Sequence, residues 1–293
     1  MKEYSVRKIT SEYNLLEIVE FLKDGFNQSN LFSNKMKKYI LLSNKNINFY
    51  GFSLFKNNNL TGAILTPFQG YYKEKNKNNI PIFNLSTWYV KPESRGLPSI
   101  KHIHHVTNSL ANCFITNYTP KKDVIPILQS LGFKSMQAVT IKKYIPSFKS
   151  IFKYKHLNFK QVRGEDLDNK LNLKIEISNL SNVLFFSIKC KNLESIFFGG
   201  IIKYTILKKL PIKSFYILWN SNCNFTYKYI DQINFYLLKK FGTLCVYIFD
   251  NKQKINISNK NKKHFRENNF LIKGPKDLNY ITPLSSELSI GQI

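Results

Sequence analysis

Hydrophobic and polar positions along this chain follow two rhythms, period two and period 3.6, and the switches between them lay out its elements. Tyr4–Ile9 reads as a strand; Thr10 or Ser11 then offers an N-cap. Leu15, Ile18, Val19 and Leu22 recur at helical spacing until Lys23-Asp24-Gly25 closes the helix. Residues 49–55 and 60–65 are β-rich runs around the polar turn Lys56-Asn57-Asn58-Asn59, which predicts a hairpin. Residues 82–90 predict one further strand, and Ile100, Ile103, Thr107 and Leu110 share a helical face after it. A short strand over 113–117 precedes a helix opened by Thr119-Pro120, with Val124, Ile127, Leu128 and Leu131 on one side and Gly132 at its end. Residues 133–144 return as a strand.

The second half partly echoes the first. Residues 173–177, 183–189, 214–219 and 243–249 read as strands, and 227–240 as a helix with Ile230, Ile233 and Leu237 on one face. The whole predicts an α/β (α+β) protein of two domains, 1–145 and 156–293, joined by the basic, polar link 146–155. Each domain is expected to be a mixed central sheet flanked by helices.

Composition narrows the partners. Of 293 residues 43% are apolar, enough for a full core, and no stretch approaches the roughly 20 apolar residues of a membrane span. The start, Met1-Lys2-Glu3-Tyr4-Ser5-Val6-Arg7, is charged and strand-like, unlike a signal peptide. Cys113, Cys190, Cys223 and Cys245 are widely spaced in apolar surroundings and read as buried free thiols, so a cytoplasmic protein is expected. The formal charge of +26 comes from Lys spread along the chain beside abundant Asn and Ile, not from Arg interleaved with exposed aromatics. Nucleic acid is therefore not the expected partner.

One stretch carries more chemistry than the rest: Trp88-Tyr89-Val90-Lys91-Pro92-Glu93-Ser94-Arg95-Gly96-Leu97-Pro98-Ser99-Ile100. An apolar strand ends in a basic turn and a helix starts straight after it. Helix N-termini carry unpaired N–H donors and a partial positive charge, so the turn suits a phosphate, with Lys91, Arg95 and Lys101 around it.

These residues resemble the GNAT-type N-acyltransferases, which bind acetyl-CoA. The likeness rests on Val90-Lys91-Pro92-Glu93-Ser94-Arg95-Gly96 after its strand, on the helix that follows, and on the late helix ending Leu131-Gly132-Phe133. It covers about residues 1–145; the second half resembles a degenerate unit of the same kind by topology alone, with Asn220-Ser221-Asn222-Cys223-Asn224 in place of the glycine-bearing loop. The resemblance implies a V-shaped opening between two strands, an acyl-CoA arm pairing with Tyr89 and Val90, and a pyrophosphate on Arg95, Gly96, Leu97, Ser99 and Ile100. Ser86 or Asn117 would orient substrate or water. The implied reaction moves an acetyl or related acyl group from CoA to an amine of a small molecule, a sugar or nucleotide-sugar amine among the candidates. The alternative is a catalytically inactive acyl-CoA sensor or scaffold.

Three positions depart from the family pattern. Pro98 and Ile100 stand where a glycine and a small residue are usual, and Leu128 where a tyrosine often protonates the thiolate. Proline removes one N–H from the cradle, though it is favoured in a helix's first turn. His102, His104 and His105 form the one histidine cluster, and they lack the acidic or cysteine partner a zinc site needs, so no metal is expected.

Overall fold

The computed structural model describes residues 3–72, 79–144, 157–162, 183–191, 193–206, 210–251 and 265–275. The chain divides into two units, one built on Met1–Ser135 with Phe270–Asn279, the other on Met136–Asn269. Phe270–Asn279, which the sequence reading places in the second domain, groups with the first unit. The link 146–155 and the strand expected at 173–177 lie outside the described residues.

In the first unit, β1 (Tyr4–Ile9), β2 (Gly51–Lys56), β3 (Asn59–Leu65) and β6 (Ser86–Val90) form an antiparallel sheet in the order β1-β2-β3-β6. The β2–β3 turn is made by Asn57 and Asn58, both at positive φ (48° and 63°), the handedness that matches strand twist in a two-residue hairpin. Helix α1 (Glu12–Gly25) starts at Ser11, whose Oγ accepts from the Asn14 N–H at 3.2 Å. A second helix, α2 (Asn30–Ser43), follows at once and buries Ser33, Met36, Tyr39 and Ile40. The sequence reading contained no helix there.

The run expected as one strand over 82–90 is two. β5 (Ile80–Asn84) pairs antiparallel with β4 (Phe68–Tyr72) and parallel with β7 (Phe114–Asn117), whereas β6 belongs to the other sheet. The break falls at Leu85, and the β3–β6 register slips between Ala63 and Leu65. Thr87 takes φ +54° within that slip, a conformation rare for a β-branched residue and a mark of a bulge. After β6 come a 3₁₀ turn (Pro92–Ser94) and α3 (Leu97–Ser109). The helix expected from Thr119-Pro120 begins later, as α4 (Ile125–Ser130). β14 (Phe265–Lys273) closes the unit by pairing antiparallel with β7, Leu271 opposite Asn117. One apolar cluster joins these elements: Phe52 and Ile64 of the first sheet, Phe83, Ile115 and Leu271 of the second, Ile103 and Val106 of α3, and Leu128 of α4.

In the second unit the strands run β8 (Lys134–Tyr144), β13 (Cys245–Asn251), β12 (Leu210–Asn220), β11 (Leu193–Ile206), β10 (Val183–Cys190) and β9 (Asn158–Val162) across the sheet. All these pairings are antiparallel except β12 with β13. A parallel pair needs a crossover, supplied by α5 (Cys223–Lys228) and α6 (Ile230–Phe241), which divide the expected helix at Tyr229. Phe186, Phe197, Phe215, Ile233, Leu237 and Val246 centre its core. Cys113, Cys190 and Cys245 are free thiols, all expected to be buried; Cys245 is buried, whereas Cys113 and Cys190 are half-buried. No helix among the described residues is long and apolar enough to cross a membrane.

Candidate functional site

The opening between β6 and β7 follows from the break at Leu85. β5 runs alongside β7 with Asn84 opposite Thr116, and the Leu85 N–H still donates to the Thr116 carbonyl at 2.7 Å. Beyond that bond β6 turns to β3 and, among the described residues, is the last strand of its sheet, leaving an edge of main-chain donors and acceptors. Ser86 and Asn117 are the first residues past the parting, one on each arm, so the structure brings the two orienting candidates to its apex. Ser86 is buried, with its Oγ 2.9 Å from Thr87 Oγ1. The half-buried Asn117 uses its Oδ1 to accept from the Thr119 N–H at 3.2 Å, fixing the turn out of β7. Thr87 Oγ1 also reaches Met36 Sδ of α2 at 3.8 Å, which ties α2 to the bulge.

At the far end of β6 the chain enters the basic turn. The Arg95 Nε–H folds back to the Val90 carbonyl at 3.1 Å, so the guanidinium is held over the end of the strand. Gly96 caps α3 at φ 82°, ψ −134°, a region only glycine occupies readily; a Cβ there would meet nothing within 4 Å, so conformation rather than space demands the glycine. The Ile100 N–H donates to the Gly96 carbonyl at 3.1 Å and the Ser99 Oγ–H to the same oxygen at 2.7 Å. Ile100 therefore spends its N–H on the helix, while Leu97 and Ser99, in the first turn, have no intrahelical acceptor. Leu97 and Ile100 expose their side chains; Tyr89 is half-buried and Val90 buried. Trp88 Nε1 on β6 and Ser94 Oγ in the 3₁₀ turn are buried without a hydrogen-bond partner among the described residues.

The remaining candidates separate. Leu128 is fully buried in the core of α4, so its side chain packs where the family pattern has a proton donor. His102, on α3, is fully buried, and burial holds its imidazole down at about 4, against the pull of the nearby Phe52 backbone. Neither ring nitrogen has a partner in hydrogen-bond geometry among the described residues. His104 and His105 are exposed, His104 Nδ1 lying 3.3 Å from Asn108 Nδ2. Among the described residues no three His, Cys, Asp or Glu side chains gather as a metal would need.

Sequence reasoning missed a buried polar chain at the base of the opening. Thr116 Oγ1 bonds the Phe83 carbonyl and Asn84 Oδ1, each at 3.3 Å. Beyond it lies Tyr118, whose phenol burial drives well above its ordinary range while the Thr116 hydroxyl pulls it back. The available signal was a polar residue inside each of two apolar runs, Asn84 and Thr116.

No family model and no curated protein matches the sequence. Among solved structures, the chain is similar to a GCN5-related N-acetyltransferase from Anabaena variabilis ATCC 29413, with a TM-score of 0.58 and 10% identity over 92% of this chain and 72% of that one. A second, from Kribbella flavida, gives 0.61 and 8% over 92% and 71%. A conserved protein from Enterococcus faecalis V583 gives 0.53 and 12% over 93% and 72%. At such identities the likeness is one of backbone path, and on that ground the chain has the GNAT-type acyltransferase fold.

Proposed function

We propose that the first unit binds acyl-CoA in the opening between β6 and β7 and transfers its acetyl or related acyl group to an amine on a small molecule. The observation that carries this reading is the parting of the strands at Leu85, with an open strand edge leading directly to the unpaired first turn of α3. An amide-rich arm pairs with an open strand edge as another strand would. A pyrophosphate suits the N–H groups of Gly96, Leu97 and Ser99 with Arg95 alongside. Pro98 offers no donor and Ile100 has given its own to the helix, so the cradle is narrower than the sequence reading has it.

In direct transfer the amine nitrogen attacks the thioester carbon. The N–C bond forms as the C–S bond breaks, the nitrogen gives up a proton and the sulfur gains one. Holding both reactants at the apex supplies much of the acceleration. Ser86 and Asn117 are the hydrogen-bonding groups on the two arms there. Tyr118 keeps its proton at neutral pH and is linked to the same place through Thr116. A cytoplasmic location accords with the free thiols.

Calorimetric titration with acetyl-CoA and with CoA, using Gly96→Asp as control, tests the reading. Micromolar binding lost in the variant supports it; no binding by the wild-type chain overturns it. The buried Leu128 favours a second reading, a non-catalytic acyl-CoA binder. CoA release that depends on an added amine separates the two.

A further inference from the structure

Three aromatic rings meet at the end of β6. Phe21 and Phe26 stand edge-on to Tyr89, with centroids 5.5 and 5.3 Å away. Gly25 lies against the same ring, and a Cβ there would fall 2.4 Å from it, so the end of α1 is pressed onto the strand. Two ammonium groups border the cluster: Lys91 Nζ is 5.8 Å from the Phe21 centroid and Lys121 Nζ 5.6 Å from that of Phe26. Lys91 follows β6, and Lys121 follows the turn out of β7. Phe26 thus touches Tyr89 of one arm and Lys121 beyond the other, which lays the α1–α2 turn across the mouth of the opening.

Neither ammonium has a carboxylate within 4.0 Å among the described residues. Each ammonium lies within cation–π range of its ring, which leaves its charge unneutralised. The rings themselves are half-exposed. The cluster lies on the α1 side of β6; Trp88, the preceding residue, points the other way into the core that α3 shares. An acyl-CoA pyrophosphate would sit at the start of α3, so these cations border the space left for the acceptor.

We infer that the acceptor is an amine bearing a phosphate group, and that this phosphate docks between Lys91 and Lys121 against the Phe21–Phe26–Tyr89 cluster. The inference rests on the acyl-transfer reading for the identity of the amine, but the phosphate site is tested without turnover. Two cations with no carboxylate within 4.0 Å among the described residues suit a dianion, and a neutral amine gains nothing from them.

The test compares matched pairs, ethanolamine with phosphoethanolamine and glucosamine with glucosamine 6-phosphate, by calorimetry on the full chain with and without CoA, and by CoA release from acetyl-CoA. The phosphorylated member of a pair is expected to bind at least tenfold more tightly. Lys121→Gln should erase most of that preference, with acetyl-CoA affinity and Tm unchanged; Lys91→Gln should erase it as well, and Lys121→Arg should retain it. Equal binding of the members of both pairs, or no binding by any, overturns the inference. So does a loss of affinity in the variants for CoA but not for dephospho-CoA, which would assign the cations to the cofactor's own 3′-phosphate. Absent acetyl-CoA binding with an intact phosphate preference would instead sink acyl transfer and leave the anion site standing.

Discussion

The two units run a strand into a helix beside a parallel neighbour, and they differ in what they do at the junction. In the first, the chain leaves β7 after Leu85, where β5 gives way to β6, with Thr87 at φ +54°. In the second, β12 pairs with β13 only from Ser214 to Ile217, then continues to Asn220 along β11 with its own register slip opposite Phe198 and Gly199. Both strands therefore bulge where they part from the neighbour. Beyond that point the polar chemistry is opposite. Gly96 has no side chain to cap α3. At the other junction Asn222 Oδ1 accepts the Phe225 N–H at 3.0 Å, and Ser221 exchanges hydrogen bonds with the Ile196 backbone, its N–H donating at 2.8 Å and its Oγ accepting at 2.9 Å. The Asn222 cap satisfies one of the orphan donors of that helix start, whereas no side chain caps α3. A similar backbone path thus leaves a helix start without a side-chain cap in one unit and with one in the other.

The largest expected effect separates the helices that follow. α3 buries His102, whereas α6 presents Ile233 and Leu237 and contains no histidine. With the folded imidazole at about 4 against an ordinary 6.5, the unfolded chain binds a proton between those values that the folded one refuses. Stability is full above pH 6.5 and falls as pH drops toward 4, by about 3 kcal/mol in all. Chemical denaturation of wild type and His102→Leu across that range should show curves that diverge as pH falls; parallel curves would remove the histidine from the account.

Next comes Leu128→Tyr, which places the phenol of the GNAT pattern at a position the core has filled. Overpacking should cost about 2 kcal/mol of stability in a denaturant melt with no gain in CoA release. Pro98→Gly sharpens the comparison from the other side, by adding an N–H to the open cradle. A charge-assisted hydrogen bond less the cost of a flexible residue in the first turn leaves a gain of about tenfold in acetyl-CoA affinity. Unchanged affinity would mean that the anion does not reach that turn.

Much of the first unit was legible. β1, α1, the hairpin and the glycine turn each carry local signals, a cap or a period that neighbouring residues fix. α2 was not legible because its buried stripe of Ser33, Met36, Tyr39 and Ile40 is diluted by lysines and asparagine. The opening was implied by the resemblance alone, since the hydrophobic pattern hides it inside a continuous apolar run. Its cause is the backbone of Thr87 and the move from one sheet to another, which hydrophobic pattern does not encode. β14 was hidden by distance, since Leu271 pairs with Asn117 across the whole second unit in sequence. The placement of Ser86 and Asn117 at one apex depends on these non-local pairings, while Gly96 and its turn are local, so the cradle could be read and the apex could not.

The smallest effect lies at the capped junction. Asn222→Ala removes the oxygen that accepts the Phe225 N–H and uncaps the start of α5. Loss of such a cap costs about 1 kcal/mol, and calorimetric melting should show it as a lowered Tm. Acetyl-CoA affinity should stay the same, because α5 has only six residues and the Ser221–Ile196 bonds still hold the strand end in place. The contrast with Gly96→Asp is the point of the experiment. One substitution adds a side chain at an uncapped helix start and should abolish binding. The other deletes a side chain at a capped one and should touch stability alone. If Asn222→Ala weakened acetyl-CoA as much as Gly96→Asp does, ligand would depend on both junctions, and the assignment of the cofactor to the first unit would fail.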